Sequence, residues 1–498
     1  MKRILPLVLF CFLLPACYRP MLQPPVTHTP PARPGLETGA ALTETRSVTA
    51  LKSTQTSSAP QIEATPAKTL TYSPTPELTR TPKISSTPSP YPTPAWCPVE
   101  HVTPTNPGKL RVAYVSLGRL WLWTEGGGAQ QLPTSNNIQQ VSISDDGQIL
   151  AFTRELDENH QELWAIDING DNERRLVSAE ELARLDGTPD ALGITPWGIQ
   201  WEPGTHHLIF FTYPIFHALW VYEPSIPWMV DVDSGNIGAA SYQGGAIIYS
   251  PDGSHVAIFD SRQLSFSRTD GSDTRERILP SYHGIGLGES FYNPMPAWSE
   301  DSSSILVALP DQDEIFNSKA TVTGWRVPVE GVPEKIGQWK AFAPSVSFSP
   351  DQNFMAYWPS PEGYANFREL HLSHLGLIPT GITPDVVYLR GELIDVLAWS
   401  PDSQHFIFQM GDPGRQTQFY YLGNICQRPV LLANLAVRGY STLNAGGNLA
   451  TWVDASRYLL EVNVPGVNNQ WELHLGEIGQ DQTEVLGLVT SYDWAMLP

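Results

Sequence analysis

The sequence predicts an all-β protein, a β-propeller of eight four-stranded blades carried on a disordered tether. Three observations predict it. A strand–turn–strand unit recurs at intervals of 44–58 residues, the spacing of a propeller array. Most units continue into a third strand, a glycine turn and a fourth strand, the content of one blade. The domain also opens without a first strand and closes with a spare one.

The chain begins with a segment outside that fold. Lys2 and Arg3 precede a short apolar run, Ile4 to Leu14, followed by Leu14-Pro15-Ala16-Cys17. The run is too short to cross a bilayer and has the layout of a secretion signal. This end resembles a bacterial lipoprotein signal, spanning residues 1–16. The resemblance implies a lipidated Cys17 and an extracytoplasmic protein anchored to the cell membrane or envelope; a plain signal peptide cut elsewhere is the alternative. No later apolar run is long enough for a transmembrane helix.

Residues 17–108 change composition completely. Ser-Pro-Thr-Pro, Thr-Arg-Thr-Pro and Ser-Pro-Tyr-Pro-Thr-Pro recur, with few large aliphatic residues. Such a stretch buries too little apolar surface to offset its ordering entropy, so it reads as a disordered, partly extended tether open to O-glycosylation. Charge separates it from the repeat region. Residues 18–108 hold seven Lys/Arg and five Asp/Glu, whereas 109–498 holds 21 basic and 46 acidic residues, a net charge of −25. That surface repels phosphate backbones, so nucleic acid is not an expected partner.

From 109 onward the repeats follow in order. Leu110 to Val115, Leu120 to Trp123 and Gln131-Leu132 read as second, third and fourth strands of an opening blade. First strands then end at Ile143, Trp201, Tyr249, Trp298, Phe348 and Trp399, with a weaker copy at Leu443 and a last one at Trp494. The sharpest copy is Tyr249-Ser250-Pro251-Asp252-Gly253, leading into Val256 to Phe259. Ser250 and Pro251 suit the start of a type I turn, Asp252 its third position, and Gly253 the left-handed conformation that completes a hairpin. Asp252, Asp301, Asp351 and Asp402 share that position and read as turn residues. The aromatic series ending each first strand reads as packing between blades. Third strands follow as Glu162-Leu163-Trp164, Trp228-Met229-Val230, Leu264-Ser265-Phe266, Trp325-Arg326-Val327 and Trp471-Glu472-Leu473. The C-terminal stretch 488–496 supplies the missing first strand, so it pairs with the opening blade and removes the open sheet edge. Seven blades is the alternative if the Leu443 copy or the long 143-to-201 interval is misread.

The recurring Ser-Pro-Asp-Gly turn with Ala-Phe or Ala-Tyr after it resembles the TolB-like β-propeller repeat over 109–498. The resemblance implies a propeller; relatives of that kind serve as binding scaffolds, peptidase accessory domains and occasionally enzymes.

No catalytic motif, cofactor motif or metal site stands out. Asp167-Ile168-Asn169-Gly170-Asp171 lacks the downstream glutamate of a calcium loop and reads as a turn. His206 and His207 are adjacent in a strand and diverge, as do His371 and His374. Neither His-Glu-x-x-His, Cys-x-x-Cys nor Gly-x-Ser-x-Gly occurs. Carboxylates meeting in the channel are not legible at this level.

Connections carry more information. Those between second and third strands are long at 213–227, 310–321, 359–367 and 454–469, and those between blades at 178–196, 281–296 and 379–393. Both classes leave one face of a propeller, so that face is expected to bind. Tyr213, Phe216, Trp220, Tyr292, Tyr364 and Phe367 lie in or beside these loops, placed to stack on a sugar or grip a peptide. Of the four cysteines, Cys11 leaves with the signal and Cys17 takes lipid, which leaves Cys97 and Cys426 either paired or free. Both approach the plain face, within about 40 Å of chain reach, so the expectation is a disulfide pinning the tether.

The function expected is a non-catalytic binding or protein-interaction scaffold whose protein, peptide or glycan ligand sits on the long-loop face. Two alternatives stand beside it: a hydrolase or lyase acting on envelope polysaccharide from the ring centre, and an accessory subunit of an envelope complex.

Overall fold

In the computed structural model the repeated turn is closed by its own side chains. Ser250 Oγ donates to Asp252 Oδ1 at 2.6 Å and accepts from the His255 amide at 3.0 Å, while Asp252 Oδ1 accepts from the Ser254 amide at 3.0 Å. Ser144 and Asp146, Ser299 and Asp301, Ser349 and Asp351, and Ser400 and Asp402 repeat the arrangement. These donors favour the charged carboxylate: hydrogen bonds from Ser250 and Ser254 pull the Asp252 carboxyl well below its ordinary range, and those from Ser299 and Ser303 bring Asp301 to about 2.

The residue after each of these aspartates is left-handed. It is glycine at Gly147 (φ 65°) and Gly253 (φ 70°), but Ser302 (φ 59°), Gln352 (φ 59°) and Ser403 (φ 58°) adopt the same conformation. Their side chains compensate by reaching the preceding blade. Ser302 Oγ accepts from the Asp252 amide at 3.1 Å, and Ser403 Oγ from the Asp351 amide at 2.9 Å. Gln352 Nε2 donates to the carbonyls of Ala297 and Ser304 at 3.3 and 3.2 Å. Turn residues thus double as stitches between blades.

The structure describes residues 96–97, 108–216, 226–241, 246–259, 264–279, 286–287, 290–291, 296–311, 320–359, 369–377, 385–412, 417–438, 449–464 and 471–497. They form an eight-bladed β-propeller. Blade 1 takes its first strand from the C-terminus, Ser491–Leu497, followed by Lys109–Ser116, Arg119–Thr124 and Gly128–Gln131. Blade 2 is Ile138–Ile143, Ile149–Asp157, His160–Asp167 and Arg174–Val177. Blade 3 is Gly193–Trp201, His207–Ile215, Trp228–Asp231 and Ile237–Ala239. Blade 4 is Ala246–Tyr249, His255–Phe259 and Leu264–Arg268, its fourth strand reduced to a bridge between Phe266 and Arg275. Blade 5 is Ala297–Trp298, Ser304–Pro310, Val322–Pro328 and Glu334–Trp339. Blade 6 is Ser347–Phe348, Phe354–Tyr357, Glu369–His374 and Asp385–Arg390. Blade 7 is Glu392–Trp399, His405–Asp412, Thr417–Asn424 and Gln427–Arg438. Blade 8 is Ala450–Trp452, Arg457–Asn463, Trp471–Glu477 and Glu484–Val489.

The ring closes as expected, with Lys109 opposite Leu497 and Val115 opposite Ser491. Closure is secured along the inner strands. Asp493 Oδ2 accepts from Ser142 Oγ at 2.7 Å and from the Ile143 amide at 3.0 Å, and Ser491 Oγ accepts from the Val141 amide at 3.2 Å. On the plain face Arg457 joins blade 8 to blade 1: it bonds Asp454 at 2.6 Å, Glu125 at 3.0 Å and the Gly108 carbonyl at 3.4 Å.

The apolar clusters lie between neighbouring sheets rather than within one centre. Ala113, Leu120 and Ala495 of blade 1 pack on Ile143, Leu150 and Phe152 of blade 2, and equivalent clusters continue round the ring. Each blade is covered on both faces, so its strands read as continuous apolar runs. Where a third strand carries glycine, an aromatic ring covers it: Phe406 lies over Gly423, and Tyr458 over Gly476.

Several elements differ from the sequence reading. The stretch 454–469, read as a connection, holds the second strand of blade 8, Arg457–Asn463, and 379–393 holds the fourth strand of blade 6, Asp385–Arg390. Leu443 lies outside the described residues, and the first strand of blade 8 ends instead at Trp452. Trp452 Nε1 donates to the Ala398 carbonyl at 3.2 Å as Trp298 does to Ile248 at 3.1 Å. Its turn lacks Ser-Pro; Asp454 closes it alone, accepting from the amides of Ser456 and Arg457 at 2.8 Å. Leu488 and Val489 finish the fourth strand of blade 8, so the ring-closing strand starts at Ser491. Between blades 2 and 3 stands a helix, Ala179–Asp186, with Ser178 and Glu181 forming a reciprocal capping box. The Ser-x-x-Glu spacing of that box is its signature in the sequence.

Candidate functional site

Antiparallel strands send the second-to-third and blade-to-blade connections to one face. The longest second-to-third connections there are 216–227, 311–321, 358–368 and 464–470, whereas a first-to-second turn such as 250–254 needs five residues. Of the aromatic residues expected to bind, Tyr213 lies in the second strand of blade 3, opposite Thr195. Phe216 follows that strand's end, and both are half-buried. Trp220, Tyr292, Tyr364 and Phe367 lie outside the described residues, as does Cys17.

The histidines sort into two arrangements. His206 bridges Asp233 (2.9 Å from Nδ1) and Asp146 (3.3 Å from Nε2), which belong to turns of blades 3 and 2 on the plain face. Burial pulls its pKa down, but the bonds to these two carboxylates outweigh that and hold it above the ordinary value. His207 separates from it and binds Glu202 at 2.6 Å.

The other arrangement is a motif of the third strand. Glu162-Leu163-Trp164, Glu369-Leu370-His371 and Glu472-Leu473-His474 each carry a β-bulge just before the ring. The ring nitrogen meets the glutamate two residues back, at 3.0, 3.2 and 3.3 Å respectively. A group in the fourth strand or just before it completes each set: Arg175 on Glu162, Asp385 on His371 and Thr483 on His474. His371 therefore belongs to a blade motif that a tryptophan fills equally well. Asp167 is likewise occupied, by Asn172 and Arg174, as a turn requires. Among the described residues no group of three His, Cys, Asp or Glu could hold a metal ion.

One acid breaks the pattern. Glu461 stands in the apolar run Tyr458-Leu459-Leu460-Glu461-Val462 and is only 4% exposed. Strand register places it next to Leu460, which faces His474 as Phe152 faces Trp164 and Val307 faces Trp325. Its counterparts are thus Thr153 and Ala308. Tyr420 of blade 7 donates to the Glu461 main-chain carbonyl at 2.7 Å, while no hydrogen bond reaches its carboxyl among the described residues. Burial raises that carboxyl to about 7. Tyr492 and Asp493 in the ring-closing strand are raised by burial too, Tyr492 feeling the Glu461 charge. Glu461, Tyr420 and Tyr492 sit toward the long-connection ends of their strands, at the join of blades 7, 8 and 1. A carboxyl divided between charged and neutral forms near pH 7 can give or accept a proton. Sequence reasoning missed it, although an acid inside an apolar strand was the available signal.

No family model matches this sequence, and no curated protein matches it. Among solved structures, a crystal structure of the eukaryotic initiation factor is similar at 12% identity, covering 78% of this chain and 98% of its own, with a TM-score of 0.47. An oligogalacturonate lyase in complex with manganese is similar at 15% identity, over 61% of this chain and 82% of its own, TM-score 0.38. TolB from Acinetobacter baumannii is similar at 12% identity, over 64% of this chain and 77% of its own, TM-score 0.30. Likenesses at this level do not bear on function.

Proposed function

We propose that this protein is an extracytoplasmic binding scaffold that presents the long-connection face of its propeller to a peptide, protein or glycan. The observation that carries the reading is the contrast between the two faces. The plain face carries mostly short turns, five of them closed by their own serines and aspartates, with one longer connection at 375–384, and it receives the docked segment at Cys97. Most of the chain length that could vary without disturbing the blades is on the opposite face, in 216–227, 311–321 and 358–368. A disulfide agrees with export to an oxidising compartment, and the N-terminal lipid anchor belongs to the same proposal.

The test is a pull-down and glycan-array screen of the intact, disulfide-bonded protein. Alanine variants of Tyr213, Phe216, Trp220, Tyr292, Tyr364 and Phe367 are expected to weaken any captured ligand. Unchanged capture by the whole set sinks the proposal.

Glu461 favours a second reading, in which a buried acid of the second strand of blade 8, where blades 7, 8 and 1 meet, serves a site for envelope polysaccharide at the ring centre. Under that reading Glu461→Gln abolishes turnover of the responsive glycan while leaving the fold intact. Undiminished turnover by the variant removes Glu461 from the chemistry.

A further inference from the structure

Cys97 and Cys426 form a disulfide, 5.7 Å between Cα atoms and 329 residues apart. The turn that receives Cys97 is braced on several sides. Tyr388 of blade 6 accepts from the Asn424 amide at 3.0 Å and donates to the Gln427 carbonyl at 3.1 Å. Asn424 Oδ1 accepts from the Cys426 amide at 2.8 Å, and its Nδ2 donates to His405 Nε2 at 3.0 Å. Beside the disulfide, Trp96 donates to the Ile425 carbonyl at 3.4 Å and sets its ring against Phe354 (5.9 Å) and His374 (5.7 Å) of blade 6. The docked segment therefore grips blades 6 and 7 together. Twelve residues later the same chain becomes the second strand of blade 1 at Lys109, a separation of at most about 40 Å.

This connectivity matters because of where the ring is joined. Blades 1 to 8 follow one another along the chain, and hydrogen bonds between Lys109–Ser116 and Ser491–Leu497 make the join. We propose that the Cys97–Cys426 bond closes the ring a second time, covalently, as a redox-sensitive lock that ties blade 1 to blade 7 through the continuity of the chain. With the bond intact, separating the C-terminal strand leaves blade 1 tied to blade 7, so blade 8 has a short path back. With the bond cut, blade 1 is held at the join only by non-covalent contacts, and opening carries it away from blade 8. The lock depends on no ligand and stands apart from the function proposed above.

Hydrogen exchange on the full chain tests it. A small dithiol is added to the folded protein: it donates two electrons and two protons, is oxidised to its own disulfide, and leaves Cys97 and Cys426 as thiols. Exchange is expected to rise about tenfold in Lys109–Ser116, Ser491–Leu497 and the strands of blade 8, with blades 3 to 5 unchanged. Cys426→Ser should reproduce the pattern without reductant. A Trp96→Ala variant with the disulfide intact separates packing from covalent linkage. Its His374 should titrate nearer the ordinary value, because burial now lowers it, while the join stays protected. An equal rise in every blade, no rise at all, or loss of protection at the join in oxidised Trp96→Ala each overturns the proposal.

Discussion

Replacing Glu461 by glutamine tests how the buried acid is held. The side chain is 4% exposed, and burial lifts its carboxyl from 4.5 in the free state to about 7 in the fold. A raised acid favours the folded state fully below its unfolded pKa and loses that contribution as pH rises through the folded value. Between pH 4.5 and 8 the wild-type protein should therefore lose stability relative to Glu461→Gln. At 1.36 kcal/mol per unit the change approaches about 3 kcal/mol. For the 390 residues from 109 onward, with an unfolding entropy of roughly 2.1 cal/mol/K per residue, that corresponds to about 4 °C in Tm. Scanning calorimetry of both proteins at pH 5, 6, 7 and 8 gives the measurement. The melting curves should diverge progressively above pH 5, with the glutamine variant the more stable at pH 8. A constant offset across the series would refute the assignment, because it would mean the carboxyl keeps an ordinary pKa in the fold.

The other predictions concern the contacts between blades. Ser403→Ala keeps the left-handed backbone and removes the acceptor for the Asp351 amide, so stability should fall by about 1–2 kcal/mol; urea melts alongside a surface serine control measure it. Arg457→Met leaves Asp454 without its closest cation in a site where Arg457 is 10% exposed, at a cost of about 3–5 kcal/mol, seen as a lower Tm with early exchange at the join of blades 8 and 1. His206 should titrate above 6.5 because Asp233 and Asp146 outweigh its burial. Its contribution to stability is present below 6.5 and is lost as pH rises through its folded value. An NMR titration should show that value dropping in Asp233→Asn.

Much of the architecture is legible in the sequence because propeller folding is local. A Ser-Pro-Asp turn closes within six residues, its serine and aspartate satisfying the backbone they belong to. Copies therefore announce five blades, whose first strands end at Ile143, Tyr249, Trp298, Phe348 and Trp399, while spacing and the closing aromatic residue mark Trp201 and Trp494. Blade 8 escapes the pattern because Asp454 makes its turn without the serine, so the repeat spacing points to Leu443 in place of Trp452. The missing first strand at Lys109 and the spare one at Trp494 imply closure by themselves. What one chain segment cannot express is the meeting of distant ones. That Ser302 and Ser403 hold left-handed conformations depends on amides of neighbouring blades, so their role is invisible in their own turns. That Glu369-Leu370-His371 and Glu472-Leu473-His474 occupy the place of Glu162-Leu163-Trp164 is visible only from strand register. Glu461 shows the division most clearly. Its identity sets the charge available, but its pKa depends on how much water blades 7, 8 and 1 exclude when they close around it, and only the tertiary structure decides that.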